Sequence, residues 1–541
     1  MICNICGGEP CKTPSFCEVC RKTDGAAPYD YTYAADEPPP AQGPDDYGQT
    51  AGDKPREQAE RKQHHKQAPK AERKRQNGSE APTALILDPH DPMQAARTLV
   101  AARFVNDDHR LLHRHRGTFW RFQANHYALA DQETVRTEVW KFLEQAQRRG
   151  EKNGKPVPFK PNRARVSDVL DALASVCNLD SRIDPPAWLD GADDLPAAAA
   201  MLALGNGLLH LPSGELYPPT PNHFGLTASD VVFDPDAPDP KHWLAFLDDL
   251  FGTDESAIIA LQDWFGYALS PDTSQQKILF VVGPRRSGKG TIARVLTSLL
   301  GRDSVANPTL ASLQTPFGLA PLIGKPLAFI TDARLGSRSD QAAITERLLS
   351  ISGEDALTID RKFMPAWTGR LSTRFTILTN ELPRISDTSG ALVGRLVVLV
   401  LMQSFYGRED PALTARLLTE LPGILNWALH GYRRLRQRGY FVQPASAREA
   451  IEDLEVLASP IKAFLNDRCH IKPGITVPVE LLYQSWKMWC DGAGRKEHGT
   501  KQTFGRDLKA TIPSLRTTQP RDGDSRSRSY EGVGLKEDTQ P

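Results

Sequence analysis

A lysine set among glycines and hydroxyls, Gly283-Pro-Arg-Arg-Ser-Gly-Lys-Gly-Thr291, is the most chemically pointed stretch of this sequence. Glycines let a backbone approach an anion closely, and N–H groups at a helix start can cradle phosphate oxygens. Gly283, Pro284, Arg285, Arg286, Ser287, Gly288, Lys289, Gly290 and Thr291 are therefore the expected ATP-binding residues, with Lys289 reaching the β- and γ-phosphates. Gly290 stands where a serine or threonine ordinarily ligates Mg2+, so Thr291 is the candidate hydroxyl ligand. The second acidic motif of such a site is Asp332, 43 residues past Lys289, at the end of the apolar run Pro326–Thr331, where it would hold Mg2+ directly or through water. Ala333 follows it, so a base that orients water must come from elsewhere, and Glu346 and Glu354 are candidates. Asn380 ends a third apolar run, Phe375–Thr379, where it can orient the attacking water; the alternative is a turn-forming Asn near Pro383. Arg395 precedes the run Leu396–Val400 and can serve as a finger across a subunit boundary, or as a structural surface arginine.

The other constellation is sulfur. Five of eight cysteines fall in the first 20 residues, and Cys3-x-x-Cys6 with Cys17-x-x-Cys20 can close a tetrahedral Zn2+ site, leaving Cys11 as a spare or alternate ligand. A disulfide or redox pair is the other reading, and the absence of a secretory signal pattern counts against it. Cys177, Cys469 and Cys490 are scattered and read as buried small hydrophobes.

These residues need elements to hold them. Lys277–Val282 is rich in β-branched residues and reads as a buried strand running into the glycine loop. Ile292, Val295, Leu296, Leu299 and Leu300 then recur at helical spacing. Upstream, helices are expected over 95–105 and 133–146, with a hairpin between them from Gly117–Phe122 and His126–Leu129, whose aromatics belong to a core or stack on bases. Pro212-Ser-Gly reads as a turn between two short strands, and helices follow over about 241–252 and 255–268. Residues 21–80 are poor in apolar residues, and Lys54–Arg75 carries nine Lys/Arg against three Glu, a nucleic-acid tether or a solvated linker.

The 541 residues suggest about three to four domains. Lys+Arg and Asp+Glu are 66 each, which excludes a uniformly basic nucleic-acid coat but not local basic patches. Uncharged apolar runs are short, Leu396–Met402 having seven residues, far from the length of a membrane span.

Several motifs recur in order: Phe265–Thr273, Gly283–Thr291, Ile351–Phe363, Thr379–Arg384 and Arg395-Leu-Val-Val. Together they resemble the superfamily 3 DNA helicases of the phage and plasmid primase-helicase family, related to the poxvirus primase-helicase ATPase, over about 200–535. The resemblance implies an α/β fold with an AAA+-like P-loop NTPase core, a homo-oligomeric ring, usually a hexamer, and ATP-driven 3′ to 5′ movement on DNA. It implies a channel hairpin within 351–370, Thr358–Phe363 forming one strand and Pro365 with Gly369 bracketing the return; Lys362, and with it Arg361, would contact DNA phosphate. Asn206-Gly207-Leu208 and Trp243 match landmarks read as structural. Leu457–Asp467, Pro478–Trp489 and Thr503–Ile512 read as helices and Arg526–Leu535 as a closing strand, together resembling a winged helix. Nine Lys/Arg against four Asp/Glu over 495–528 suit DNA contact there, a protein-contacting wing being the alternative.

The expected divisions are a zinc-binding module over 1–25, a disordered linker with a basic run over 26–84, a small α+β region over 85–190, a helicase-preceding domain over 191–275, the ATPase core over 276–440 and a winged-helix-like DNA-binding domain over 445–541. Region 85–190 lacks an Asp-x-Asp cluster with a partnering histidine, so primer synthesis is expected from a separate primase. Expected partners are single-stranded or forked DNA and other replication proteins, without a membrane, in the cytoplasm of a bacterial host carrying the phage or plasmid. A small-molecule phosphotransferase using the Gly288–Thr291 loop, or a non-hydrolysing DNA-binding replication loader, is the alternative function.

Overall fold

The computed structural model describes residues 85–536 apart from 107, 152–153, 192–193, 332–339, 363, 384–389, 495–497, 520, 523–524 and 527. Cys3, Cys6, Cys11, Cys17, Cys20, the basic run 54–75 and Asp332 lie outside the described residues.

The first described elements show local capping logic. Asp91 accepts the Gln94 N–H ahead of α1 (Pro92–Arg103), and Pro92 fills the first turn, where its missing N–H costs nothing. An antiparallel sheet follows: β1 (Leu112–His115), β2 (Thr118–Gln123) and β3 (His126–Ala130). The sequence predicts only the β2–β3 hairpin. It misses β1 because the inward positions include His113 and His115, which carry no apolar signal. Asp131 caps α2 (Gln132–Gln145), a short hairpin pairs β4 (Gln147–Arg149) with β5 (Pro156–Pro158), and Asn162 caps α3 (Arg163–Val176). A meander of β6 (Met201–Leu204), β7 (Gly207–His210) and β8 (Glu215–Tyr217) turns through Pro212–Gly214 as expected. Packing crosses the division expected at 190: Tyr127 meets Phe224 at 5.1 Å between ring centroids, and its hydroxyl donates to the Pro221 carbonyl at 2.7 Å.

The helices α4 (Lys241–Phe251) and α5 (Glu255–Ala268) lead into a five-stranded parallel sheet. Its strands are β9 (Ile278–Val282), β10 (Val305–Ala306), β11 (Leu327–Ile330), β14 (Arg374–Thr379) and β15 (Leu396–Val400), in the spatial order β10-β11-β14-β9-β15. Between them run α6 (Lys289–Leu300), α7 (Gln341–Ser352) and an antiparallel hairpin of β12 (Ala356–Arg361) and β13 (Met364–Arg370). All five residues of β9 are buried, as a parallel strand covered on both faces requires. Leu279 and Val281 face one core, built with α4, α5, α6 and α8 (Leu421–Arg438). Ile278, Phe280 and Val282 face a second core, closed by α7, the hairpin and α9 (Arg448–Ala458). Burying each such side chain contributes about 1.5–3 kcal/mol.

Helix α5 lies close against α8 because each contributes a glycine at the crossing. A β-carbon on Gly431 would sit 2.1 Å from the Gln262 carbonyl oxygen, and one on Gly266 2.2 Å from the Tyr432 nitrogen. Beside this contact, the fully buried Asp263 carboxylate takes hydrogen bonds from Arg434 (2.9 Å from Nε) and Arg438. Thus α5, expected in the domain before the core, shares one hydrophobic core with it.

The C-terminal helix expected over 457–467 is two helices. Ser459 caps α10 (Pro460–Arg468) after α9 has ended, because proline cannot continue a helix from within. Helix α9 packs on the central sheet, so a separate C-terminal core starts at Ile461 rather than at 445. It contains α10, α11 (Val479–Gly492), α12 (Lys501–Thr511) and a sheet of β16 (Cys469–Pro478), β18 (Ser529–Leu535) and β17 (Arg516–Thr518). Cys177, Cys469 and Cys490 are buried and form no disulfide, as read from the sequence. No helix among the described residues is long and apolar enough to cross a membrane.

Candidate nucleotide-binding site

Parallel strands end together, so the carboxyl edge of the sheet gathers the residues that leave each strand. Val282 pairs with Thr379 and with Val400, placing Gly283, Asn380 and Leu401 side by side. The Gly283 N–H donates to the Thr379 carbonyl at 3.3 Å, and the Leu401 N–H donates to the Val282 carbonyl at 2.8 Å. Such an edge is where ligands of open α/β sheets bind. The glycine loop leaves β9 here and enters α6 through Gly288, whose φ of 86° favours glycine. A β-carbon there would also lie 2.8 Å from Leu250 Cδ2.

Within the loop, Lys289 Nζ donates to the carbonyls of Gly283 and Pro284, both at 2.8 Å, and to Ser287 Oγ at 3.1 Å. Its pKa is lowered by partial burial. Ser287 is buried, while Pro284, Arg285 and Arg286 are exposed. Arg286 takes a φ of 59° and lies 3.4 Å from the Glu409 carboxylate. Thr291 Oγ1 accepts a hydrogen bond from Arg294 at 3.0 Å, and Arg294 Nε also reaches Thr414 Oγ1 at 3.2 Å. A guanidinium is a like-charged neighbour for a divalent cation. Thr291 would be open to Mg2+ only once Arg294 had left it.

The segment after β15 was not read from the sequence as part of this site. The Phe405 N–H donates to the Arg286 carbonyl at 2.9 Å and Ser404 Oγ to the Arg285 carbonyl at 2.9 Å, so residues 401–409 buttress the loop. Met402 and Tyr406 stand on this segment 81% and 79% exposed. Nothing in their local pattern announces the role, which comes from the pairing of β15 with β9.

Asn380 is exposed at the same edge, one residue past the Thr379 carbonyl that holds Gly283. Arg395 lies at the other edge of the sheet, because Leu396 pairs with Ile278 at the start of β9. Its guanidinium donates to the Leu349 carbonyl in the last turn of α7 and to Ser352 Oγ at 2.8 Å. Arg395 of one chain therefore faces away from the glycine loop of that chain. Glu354 is near this second edge too: it accepts from Thr273 Oγ1 and lies 3.9 Å from Arg370. Glu346 is exposed on α7.

The hairpin differs in register from the expectation. Its first strand runs 356–361 and its return 364–370, so Pro365 and Gly369 lie inside the second strand and Lys362 is in the turn. Leu357, Ile359 and Trp367 bury one face of it. Arg361 Nε donates to the Pro365 carbonyl at 3.0 Å, bracing the turn, and Lys362 is exposed. Asn206 receives and returns a hydrogen bond with the Phe233 backbone, and Trp243 is fully buried, both structural as read.

Two family models match the sequence. Residues 99–252 match one described as D5 N terminal like, and residues 281–395 match a family of unknown function, DUF5906. Among solved structures, an apo structure of the NrS-1 C-terminal region is similar at 14% identity and a TM-score of 0.49, covering 82% of this chain and 100% of that one. A second, A-form apo structure of that region matches with the same coverage at 13% identity and a TM-score of 0.46.

Proposed function

We propose that this chain is an ATP-driven, ring-forming DNA helicase serving phage or plasmid replication, without its own primer-synthesis domain. The observation that carries the reading is the placement of the glycine loop, Lys289 and Asn380 together at the carboxyl edge of one parallel sheet. In this reading, ATP binds at Gly283–Thr291, with backbone N–H groups of the loop and of the first turn of α6 around its phosphates. Lys289 exchanges its three protein oxygens for phosphate oxygens. Asn380 holds the attacking water. Asp332 and Thr291 would hold Mg2+, which would neutralise charge on the transferring phosphoryl group. Arg395 is supplied by the neighbouring subunit of the ring, which its position at the far edge of its own sheet supports. The hairpin carrying Arg361 and Lys362 follows the DNA backbone in a channel, moving 3′ to 5′ in a hexamer. Residues from Ile461 onward are read as a winged-helix-like DNA-binding domain, and Cys3, Cys6, Cys17 and Cys20 as a Zn2+ module that contacts DNA or recruits a separate primase.

The test is ATP hydrolysis by the purified protein with and without single-stranded DNA, beside Lys289→Ala. DNA-stimulated turnover that the substitution removes is the expected result. Turnover indifferent to DNA would identify a phosphotransferase. No turnover would identify a DNA-binding loader.

A further inference from the structure

Residues 147–165 carry seven Lys/Arg and one Glu in a chain of zero net charge. The fold concentrates six of them, Lys152 lying outside the described residues. Strands β4 and β5 pair Arg148 with Val157 and Arg149 with Pro156, and the Gly150 N–H closes the hairpin on the Lys155 carbonyl at 2.9 Å. Phe159, 1% exposed, anchors its foot, with the Arg165 guanidinium 5.8 Å from the ring. Arg149, Lys155, Lys160 and Arg163 are exposed. In the same region Arg121 pairs with Glu138 at 2.6 Å and Arg182 with Asp180 at 2.5 Å. No described carboxylate pairs with Arg149, Lys160 or Arg163, and Arg148 Nε is buried without a hydrogen-bond partner. The first turn of α3 holds no acidic residue to offset this charge.

We infer that this basic hairpin and the chain leading into α3 form a second DNA contact, distinct from the β12–β13 hairpin, that binds the phosphate backbone without reading sequence. The inference rests on the reading of this chain as a DNA-acting protein. Charge density suits a polyanion. Pro156 and Pro158 lack the N–H groups that a protein partner would need to extend the hairpin as a sheet, which favours nucleic acid over strand addition.

The test is fluorescence anisotropy of labelled single-stranded and duplex DNA with the full chain, without nucleotide, over a salt series. The proteins compared are the wild type, the triple variant Arg149→Glu/Lys160→Glu/Arg163→Glu, Lys362→Ala and their combination. The triple variant is expected to bind about tenfold or more weakly near 50 mM salt. Its log–log salt slope should be shallower by about 2, because about 0.7 is lost per single-strand phosphate released. Its loss should add to that of Lys362→Ala, with DNA-independent ATP hydrolysis unchanged. If charge reversal lowers the melting temperature, the corresponding glutamine variants replace it, with the slope change still expected. Equal affinity and slope in wild type and variant would overturn the inference alone and point to an acidic protein partner. A wild type that binds no DNA would overturn both the inference and the helicase reading.

Discussion

Lys289 and Arg395 are both half-buried cations held by carbonyl oxygens, yet they sit at opposite ends of adjacent strands. That separation gives the trans assignment of Arg395 a direct test. Arg395→Ala should lower turnover of the assembled ring by about 10³-fold or more. The two hydrogen bonds lost at the end of α7 should cost only about 1–3 kcal/mol of stability. Mixing Arg395→Ala with Lys289→Ala should restore part of the activity, since some interfaces then pair an intact loop with an intact arginine. A mixture as inactive as its components would leave Arg395 with its contacts to α7 alone. A second residue-scale prediction concerns His113, whose ring nitrogens are buried without hydrogen-bond partners and whose pKa burial lowers to about 4. The unfolded chain, with an ordinary pKa of 6.5, then binds more protons than the folded one between these values. Stability therefore rises with pH across that window and is lost as pH falls from 6.5 toward 4. His115 and His223, also lowered by burial, act in the same direction. His113→Phe should flatten urea-unfolding free energies over this range by on the order of 3 kcal/mol. An unchanged pH profile would mean that His113 does not resist protonation in the folded protein.

At the scale of elements, α5 and α8 approach through Gly266 and Gly431, and neither position has room for a methyl group. Gly431→Ala should destabilise the protein by about 2 kcal/mol or more, as overpacking does. A chemical-denaturation midpoint equal to wild type would show that the helices separate freely. This crossing was not legible in the sequence, because a glycine reports no partner until the partner helix is placed. The strand β9, its loop and α6 were legible because three local signals coincide: a β-branched run, glycines and a 3.6-residue period. The histidine-bearing β1, the break at Ser459–Pro460 and the shifted return of the β12–β13 hairpin were not. At β1 the buried side chains are polar, at 459–460 apolar spacing continues across the break, and in the hairpin Pro365 and Gly369 sit within a strand rather than at its turn. Of the candidate site, the loop and Asn380 could be read locally. The buttress Ser404–Glu409 could not, since its contact with the loop depends on strands paired from distant parts of the chain.

At the scale of the molecule, two cores sandwich the parallel sheet while the C-terminal helices and strands close a third that begins at Ile461. A chain ending after Ser459 should retain DNA-independent ATP hydrolysis within about twofold of wild type, because α9, which covers the sheet, is kept. Loss of this activity together with a lowered melting temperature would show that the third core supports the other two. The strand order has a temporal consequence as well. β9 is hydrogen-bonded only to β14 and β15, about a hundred residues further along the chain. During synthesis the glycine loop therefore exists as sequence long before it exists as a site. Every chain that stops between Thr291 and Leu396 carries the whole motif on a strand missing at least one flank. Premature termination anywhere in that interval would leave a fragment with an intact signature and an exposed apolar edge, a candidate for aggregation rather than for partial function.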